Sequence, residues 1–165
     1  MDRQITKIKV KKGSYFFAWE EYQSSTANWD GHTLTCKDKP RDELLAAMKA
    51  LAPHVLDICE FVKENIEDFM VSGVTWSYTE DNQYVTLTAQ KKLEYSRAPL
   101  ILNTPVRPEE PGKDDDMTFC MSEELMDDLR KLEADAWRYI MGDRAQQQLD
   151  FADTEDESEP QGIGA

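Results

Sequence analysis

The sequence predicts an α+β fold: a mostly antiparallel sheet of about five strands packed against two long helices, followed by a disordered acidic C-terminal tail. Three observations carry this expectation. Segments with period-2 alternation occur near the N-terminus and again in mid-chain, with short turn-forming stretches between neighbours, which is the pattern of antiparallel hairpins. Two longer stretches repeat apolar residues at spacings of three and four, the pattern of helices with one buried face. From Asp153 onward the chain is acidic and nearly devoid of large apolar side chains, so it cannot bury enough surface to offset its ordering entropy.

The elements follow in order. Ile8 and Val10 alternate with Lys7, Lys9 and Lys11, making residues 5–10 a half-buried strand. Gly13 and Ser14 turn the chain into the aromatic segment 15–22, a second strand that completes an N-terminal hairpin. Gly31 precedes a short third strand over 32–36. Pro40 suits a first helical turn, and Asp42 and Glu43 behind it favour the helix dipole, so a helix is expected over about 40–61. Leu44, Leu45, Met48, Leu51, Val55, Leu56 and Cys59 form its apolar stripe. Pro53 removes a ladder donor near the middle, which calls for a kink or a break into two helices.

Residues 69–78 and 84–93 are β-rich and are joined by Thr79-Glu80-Asp81-Asn82-Gln83, a second hairpin. Val74, Trp76 and Tyr78 share one face, Thr75 and Ser77 the other. Residues 96–113 contain Pro99, Pro105, Pro108 and Pro111, and are expected to cross the surface as an extended connection, neither regular helix nor central strand. Ser122 caps the last helix, in which Leu125, Leu129, Leu132, Ala136, Tyr139 and Ile140 recur at helical spacing. Residues 1–151 are thus expected to be one domain and residues 152–165 the tail.

Apolar runs such as 100–102 fall far short of the roughly 20 residues of a membrane-spanning helix, and no secretory leader is expected. Three cysteines, Cys36, Cys59 and Cys120, are an odd count at wide spacing. That argues against a disulfide framework and for a reducing, cytoplasmic location. The formal net charge is −14, and it is concentrated. Glu109, Glu110, Asp114, Asp115, Asp116, Glu123, Glu124, Asp127 and Asp128 are nine acids against the single base Lys113. Asp150, Asp153, Glu155, Asp156, Glu157 and Glu159 are six against none, and the rest of the chain carries 18 charges of each sign.

The expected role is binding and not catalysis. No phosphate-binding Gly-rich loop, G-x-S-x-G, H-E-x-x-H or C-x-x-C is present. His32 and Cys36 fall on one face of a strand, but two ligands do not hold a metal. Asp114, Asp115 and Asp116 supply oxygen ligands without the spacing of a calcium loop. Ser24, Ser25 and Thr26 are loop hydroxyls with no base nearby. No metal, cofactor or membrane partner is expected.

Three binding signals remain. Gln146, Leu149 and Phe151 resemble the Q-x-x-L-x-F peptide by which many bacterial proteins dock on the DNA-polymerase sliding clamp; by that resemblance Gln146 bonds at a pocket rim and Leu149 and Phe151 fill an apolar pocket. The plain alternative is a frayed helix end folded onto the core. Second, the carboxylates of Asp114, Asp115, Asp116, Glu123, Glu124, Asp127 and Asp128 imitate the phosphate charge of DNA, although helix capping and solubility also explain such acids. Third, Lys7, Lys9, Lys11 and Lys12 beside Tyr15, Phe16, Phe17, Trp19 and Tyr22 combine cations with stacking surfaces, as single-stranded nucleic acid binding requires. There the plain alternative is an edge strand guarded by lysines, with its aromatic neighbours in the core.

The stretch Leu44-Leu45-Ala46-Ala47-Met48-Lys49-Ala50-Leu51-Ala52-Pro53-His54-Val55, the strand Gly73-Val74-Thr75-Trp76-Ser77-Tyr78, the connection Ser96-Arg97-Ala98-Pro99-Leu100-Ile101-Leu102-Asn103-Thr104-Pro105 and the Gln-rich C-terminus together resemble proteins encoded by bacteriophages and prophages among early genes for DNA replication and recombination. The resemblance covers residues 1 to about 151, carries no activity and transfers no catalytic residue. It implies a phage-type accessory protein in the cytoplasm of a bacterial host cell that binds a component of DNA metabolism, with the sliding clamp as the specific expectation. An acidic DNA-mimic inhibitor of a host defence or restriction protein is the first alternative, and a single-stranded DNA-binding protein the second.

Overall fold

The computed structural model describes residues 2–113 and 116–146. Three strands come first, β1 (Arg3–Lys11), β2 (Ser14–Gln23) and β3 (Asn28–Cys36). Two short helices follow, α1 (Asp42–Lys49) and α2 (Ala52–Ile58), then the hairpin β4 (Phe69–Tyr78) and β5 (Gln83–Lys91). Two short strands, β6 (Leu100–Asn103) and β7 (Arg107–Pro108), precede the long helix α3 (Glu123–Ile140). All pairings are antiparallel. The strand order is β3-β2-β1-β4-β5-β6, with β7 also on β5. The α+β architecture expected from the sequence is therefore the observed one.

The differences lie where proline acts. The helix expected over 40–61 is broken at Ala50 and Leu51 into two, as Pro53 called for, and Pro53 sits in the first turn of α2, where a missing N–H costs nothing. One long helix and a pair of 8 and 7 residues thus replace the two long helices. The Pro-rich connection is not merely extended: it adds β6 and β7, making seven strands rather than about five. Prolines interrupt an edge strand without abolishing it. Between the two pieces Thr104 carries the ladder, its N–H donating to the Leu87 carbonyl at 2.9 Å and its hydroxyl accepting from the Leu87 N–H at 3.0 Å.

Two β-bulges set which side chains face the helices. The register of β1 on β2 shifts between Ile5 and Lys7, so Ile5 and Ile8, three residues apart, are both buried against the helical layer. A second shift between Val71 and Gly73 does the same for Val71 and Val74. The core between sheet and helices gathers Phe17, Leu44, Leu51, Val55, Leu87, Leu125, Leu132 and Tyr139. The other face of the sheet is left uncovered by any described element.

Helix ends are closed by local chemistry. The Ser122 hydroxyl accepts from the Leu125 N–H at 3.1 Å and starts α3. Gly142, with φ of 100°, ends it, while Gly142 and Asp143 donate to the Tyr139 and Arg138 carbonyls. Glu60 closes α2 in the same way with φ of 58°, and Glu60 and Phe61 donate to the Asp57 and Leu56 carbonyls. A side chain in this left-handed region is strained. Glu60→Gly is therefore expected to stabilise the protein by about 0.5–1 kcal/mol in urea unfolding; a destabilised variant would show that the Glu60 side chain contributes more than its backbone costs.

On α3, burial pushes the Glu133 carboxyl up to about 7, opposed by Arg130 and reinforced by the charge of Glu109. Between an ordinary glutamate value near 4.5 and about 7, the folded chain holds a proton that the unfolded chain has lost. Stability contributed there is present at low pH and falls as pH rises through the window. Glu133→Gln is expected to raise the melting temperature at pH 8, by an amount equivalent to about 2 kcal/mol, and to change it little at pH 4. An equal effect at both pH values would refute the assignment.

Candidate nucleic-acid interface

The uncovered face is built from the alternate residues of each strand. Lys7, Lys9 and Lys11 project from β1, opposite Ala18, Phe16 and Ser14 of β2. On the other flank Lys7 faces Thr75 and Lys9 faces Gly73 of β4. Next outward come Thr33 and Thr35 of β3, paired with Ala18 and Phe16, and Thr86 and Thr88 of β5, paired with Thr75 and Gly73. Lysines at alternate positions stand about 6.8 Å apart along the strand. They form a row of cations with an aromatic ring on one side and small or hydroxylic side chains on the other.

A shallow trough of about 300 Å³ runs along this row, lined by Lys7, Lys9, Lys11, Ser14, Phe16 and Thr35. On the β4 flank of the row the backbones pack closely at Gly73, where an added Cβ would stand 3.3 Å from the Ile8 carbonyl oxygen and 3.5 Å from the Thr88 Cβ. All three lysines are exposed, whereas Phe16 is half-buried. Farther along the same face Tyr22 and Trp29 meet edge to face, with centroids 5.3 Å apart.

Charge on this row is not compensated by any described ion pair: none involves Lys7, Lys9 or Lys11. The nearby acid Glu20 instead accepts a hydrogen bond from Gln4 at 3.1 Å. Lys9 is held below the ordinary lysine range chiefly by the charge of Lys11, then by desolvation and by Lys7. Like charges held this close favour an anion among them.

The edge-strand account of the lysines does not hold, because β1 lies between β2 and β4, in the interior of the sheet. The core account of the aromatic residues holds for Phe17, which is fully buried, and in part for Tyr15 and Trp19, which pack against the core. It fails for Phe16, which pairs with Lys9 on the open face.

The other candidate residues are dispersed. Asp114 and Asp115 lie outside the described residues. The Asp116 carboxylate accepts from the Thr118 N–H at 3.2 Å, and Glu123 and Glu124 occupy the first turn of α3. Asp127 pairs with Arg130 at 2.9 Å. Asp128 bonds His54 Nε2 at 2.7 Å, a buried imidazole at the rim of a pocket of about 400 Å³ that Arg107, Cys120 and Ser122 also line. Nothing local in the sequence links His54 to Asp128. Most of the described acids thus meet local structural needs.

Gln146 is exposed and is the last described residue; Leu149 and Phe151, and the tail expected over 152–165, lie outside the described residues. The approach to Gln146 is anchored. Arg144 lies over the Tyr139 ring at 4.5 Å and donates to Asp38 Oδ2 at 2.7 Å and Cys36 Sγ at 3.1 Å, and the Ala145 N–H donates to the Lys39 carbonyl at 3.0 Å. Cys36 is thereby engaged by a cation. His32, on the same face of β3, stacks on Trp19 at 5.5 Å and lies 3.7 Å from Glu21. No described helix is long and apolar enough to cross a membrane.

No protein-family model, curated protein or solved structure matches this chain. The resemblance to phage-encoded proteins accordingly rests on residue patterns alone.

Proposed function

We propose that this protein binds single-stranded nucleic acid across the open face of its sheet, in the cytoplasm of a bacterial host, as an accessory factor of DNA metabolism. The observation that carries the proposal is the row Lys7, Lys9 and Lys11, unpaired among the described residues and set on an interior strand of a chain whose formal net charge is −14. Phosphates lie along the row, and a base stacks on Phe16, a contact that tolerates any sequence because every base has a π-face.

Anisotropy of a labelled oligothymidylate tests the reading. Three phosphate contacts on a single strand give a slope of about −2 in log K against log salt, or about a 20-fold loss of affinity between 50 and 200 mM. Phe16→Ala is expected to cost about 1–3 kcal/mol of binding. Absence of binding at low salt, or affinity indifferent to salt, would refute the proposal.

A second reading is favoured by one observation: Gln146 emerges exposed directly after the anchored Arg144 and Ala145. A peptide that begins there, with Leu149 and Phe151 as apolar anchors, is presented for docking on a sliding clamp. Deletion of residues 146–165 is expected to abolish capture by the clamp in a pull-down; undiminished capture would eliminate this reading.

A further inference from the structure

The two edges of the sheet are unlike. At one end β6 offers only four residues, with Pro99 directly before them and Pro105 two residues after, and prolines guard an edge against a further strand. At the other end β3 runs for nine residues without lysine, arginine or proline and without a break in its register on β2. Among the described residues it pairs with β2 alone, so its outward N–H and C=O groups are an unguarded template for a further strand. The side chains of β3 say which strand fits. Asp30 stands directly opposite Glu21, a like-charge pair that costs stability, and no described ion pair involves Asp30. His32, exposed two residues on along the same face, lies 3.7 Å from Glu21. Between them Gly31 weakens a strand interior, yet no described atom lies within 4 Å of where its Cβ would stand, so no described neighbour requires a glycine there.

We propose that β3 pairs antiparallel with β3 of a second copy of this chain, about a two-fold axis at Gly31. In that register Asp30 of each copy lies opposite His32 of the other, which supplies the opposite charge that Asp30 lacks within its own chain. Trp29 lies opposite Thr33, and its exposed ring reaches the other copy's Gly31 on the diagonal, where the missing side chain leaves room. Neighbouring registers lose this match: an axis at Asp30 sets two carboxylates face to face, and an axis at His32 sets Asp30 against Leu34. The patch is thus self-complementary, as a two-fold dimer requires. Opposed residues of an antiparallel pair share a face, so the open faces of the two copies join into one. Their lysine rows then lie five strand spacings apart, about 24 Å. That the joined face serves nucleic acid rests on the binding function proposed above; the pairing itself does not.

Sedimentation equilibrium of the full-length chain tests the pairing, at about 200 mM salt to screen the net charge of −14. A monomer–dimer equilibrium is expected with a Kd on the order of 10 µM, because a single strand pair falls at the small end of specific interfaces, below about 1,200 Å². Hydrogen exchange over residues 28–34 should slow as the concentration rises. Asp30→Lys relieves the repulsion with Glu21, so the fold is kept, but it sets a cation opposite His32 of the other copy and is expected to weaken the dimer at least about tenfold. Adding His32→Asp restores opposite charges in this register and is expected to return the Kd to within about threefold of its original value. A chain that stays monomeric at about 500 µM, or a dimer indifferent to Asp30→Lys, overturns the proposal. A dimer that responds to both variants but binds no oligothymidylate supports the pairing and refutes the nucleic-acid function instead.

Discussion

Reversing Lys7, Lys9 and Lys11 to glutamate together is expected to lower affinity for oligothymidylate by about 100-fold or more at 50 mM salt, while the melting temperature stays nearly constant. The two halves of this expectation come from the same geometry. The three side chains are exposed on a face that no described helix covers and make no described ion pair, and surface substitutions of that kind usually alter stability by less than about 0.5 kcal/mol. What they supply is a positive row, and reversal both removes attraction and adds repulsion toward phosphate. The salt slope should collapse with the affinity. A reversed variant that binds with unchanged affinity and slope would place the interface elsewhere.

The largest expected effect on stability is at Tyr139. Its ring is buried on α3, stacked on Phe17 with centroids 4.9 Å apart, tilted against Tyr15 at 6.0 Å, and covered by Arg144. Its hydroxyl donates to the Asp38 carbonyl, and burial pushes its ionisation up. Tyr139→Ala is expected to cost about 3–5 kcal/mol, by the cavity it leaves and the contacts it removes, and to lower the melting temperature by about 10–15 °C. Tyr139→Phe keeps the ring and loses only the hydrogen bond, at about 0.5–1.5 kcal/mol. Because Tyr139 also positions Arg144, the alanine variant should release the anchor that leads to Gln146. An alanine variant destabilised by less than 1 kcal/mol would mean that α3 does not pack as described.

Much of the fold is legible in the sequence because its signals are local. Alternation at Lys7, Ile8, Lys9 and Val10 shows which side chains share a face, whatever that face meets. Ser122 reads as a cap and Pro53 as a break from their own chemistry. The short strand β6 is hidden by the prolines that flank it, β7 by the proline within it, and the left-handed Glu60 by the absence of a glycine. Of the candidate site, the lysines and aromatic residues were visible as a cluster, but the split of Phe16 from Phe17 acquired meaning only when one face was covered.

Sequence by itself determined the character of the elements, the segregation of acids into two segments and the alternation of lysine with apolar residues on β1. Tertiary structure alone decided that the lysines stand on an interior strand. Whether β1 is an edge or an interior strand depends on its pairing with β4, where Lys7 meets Thr75 and Lys9 meets Gly73. Partners more than sixty residues apart leave no local mark, because such a pairing is chosen by the burial of Ile8 against Val74 and the helices behind them. The same long-range packing joined His54 to Asp128 and brought the approach to Gln146 beside the end of β3.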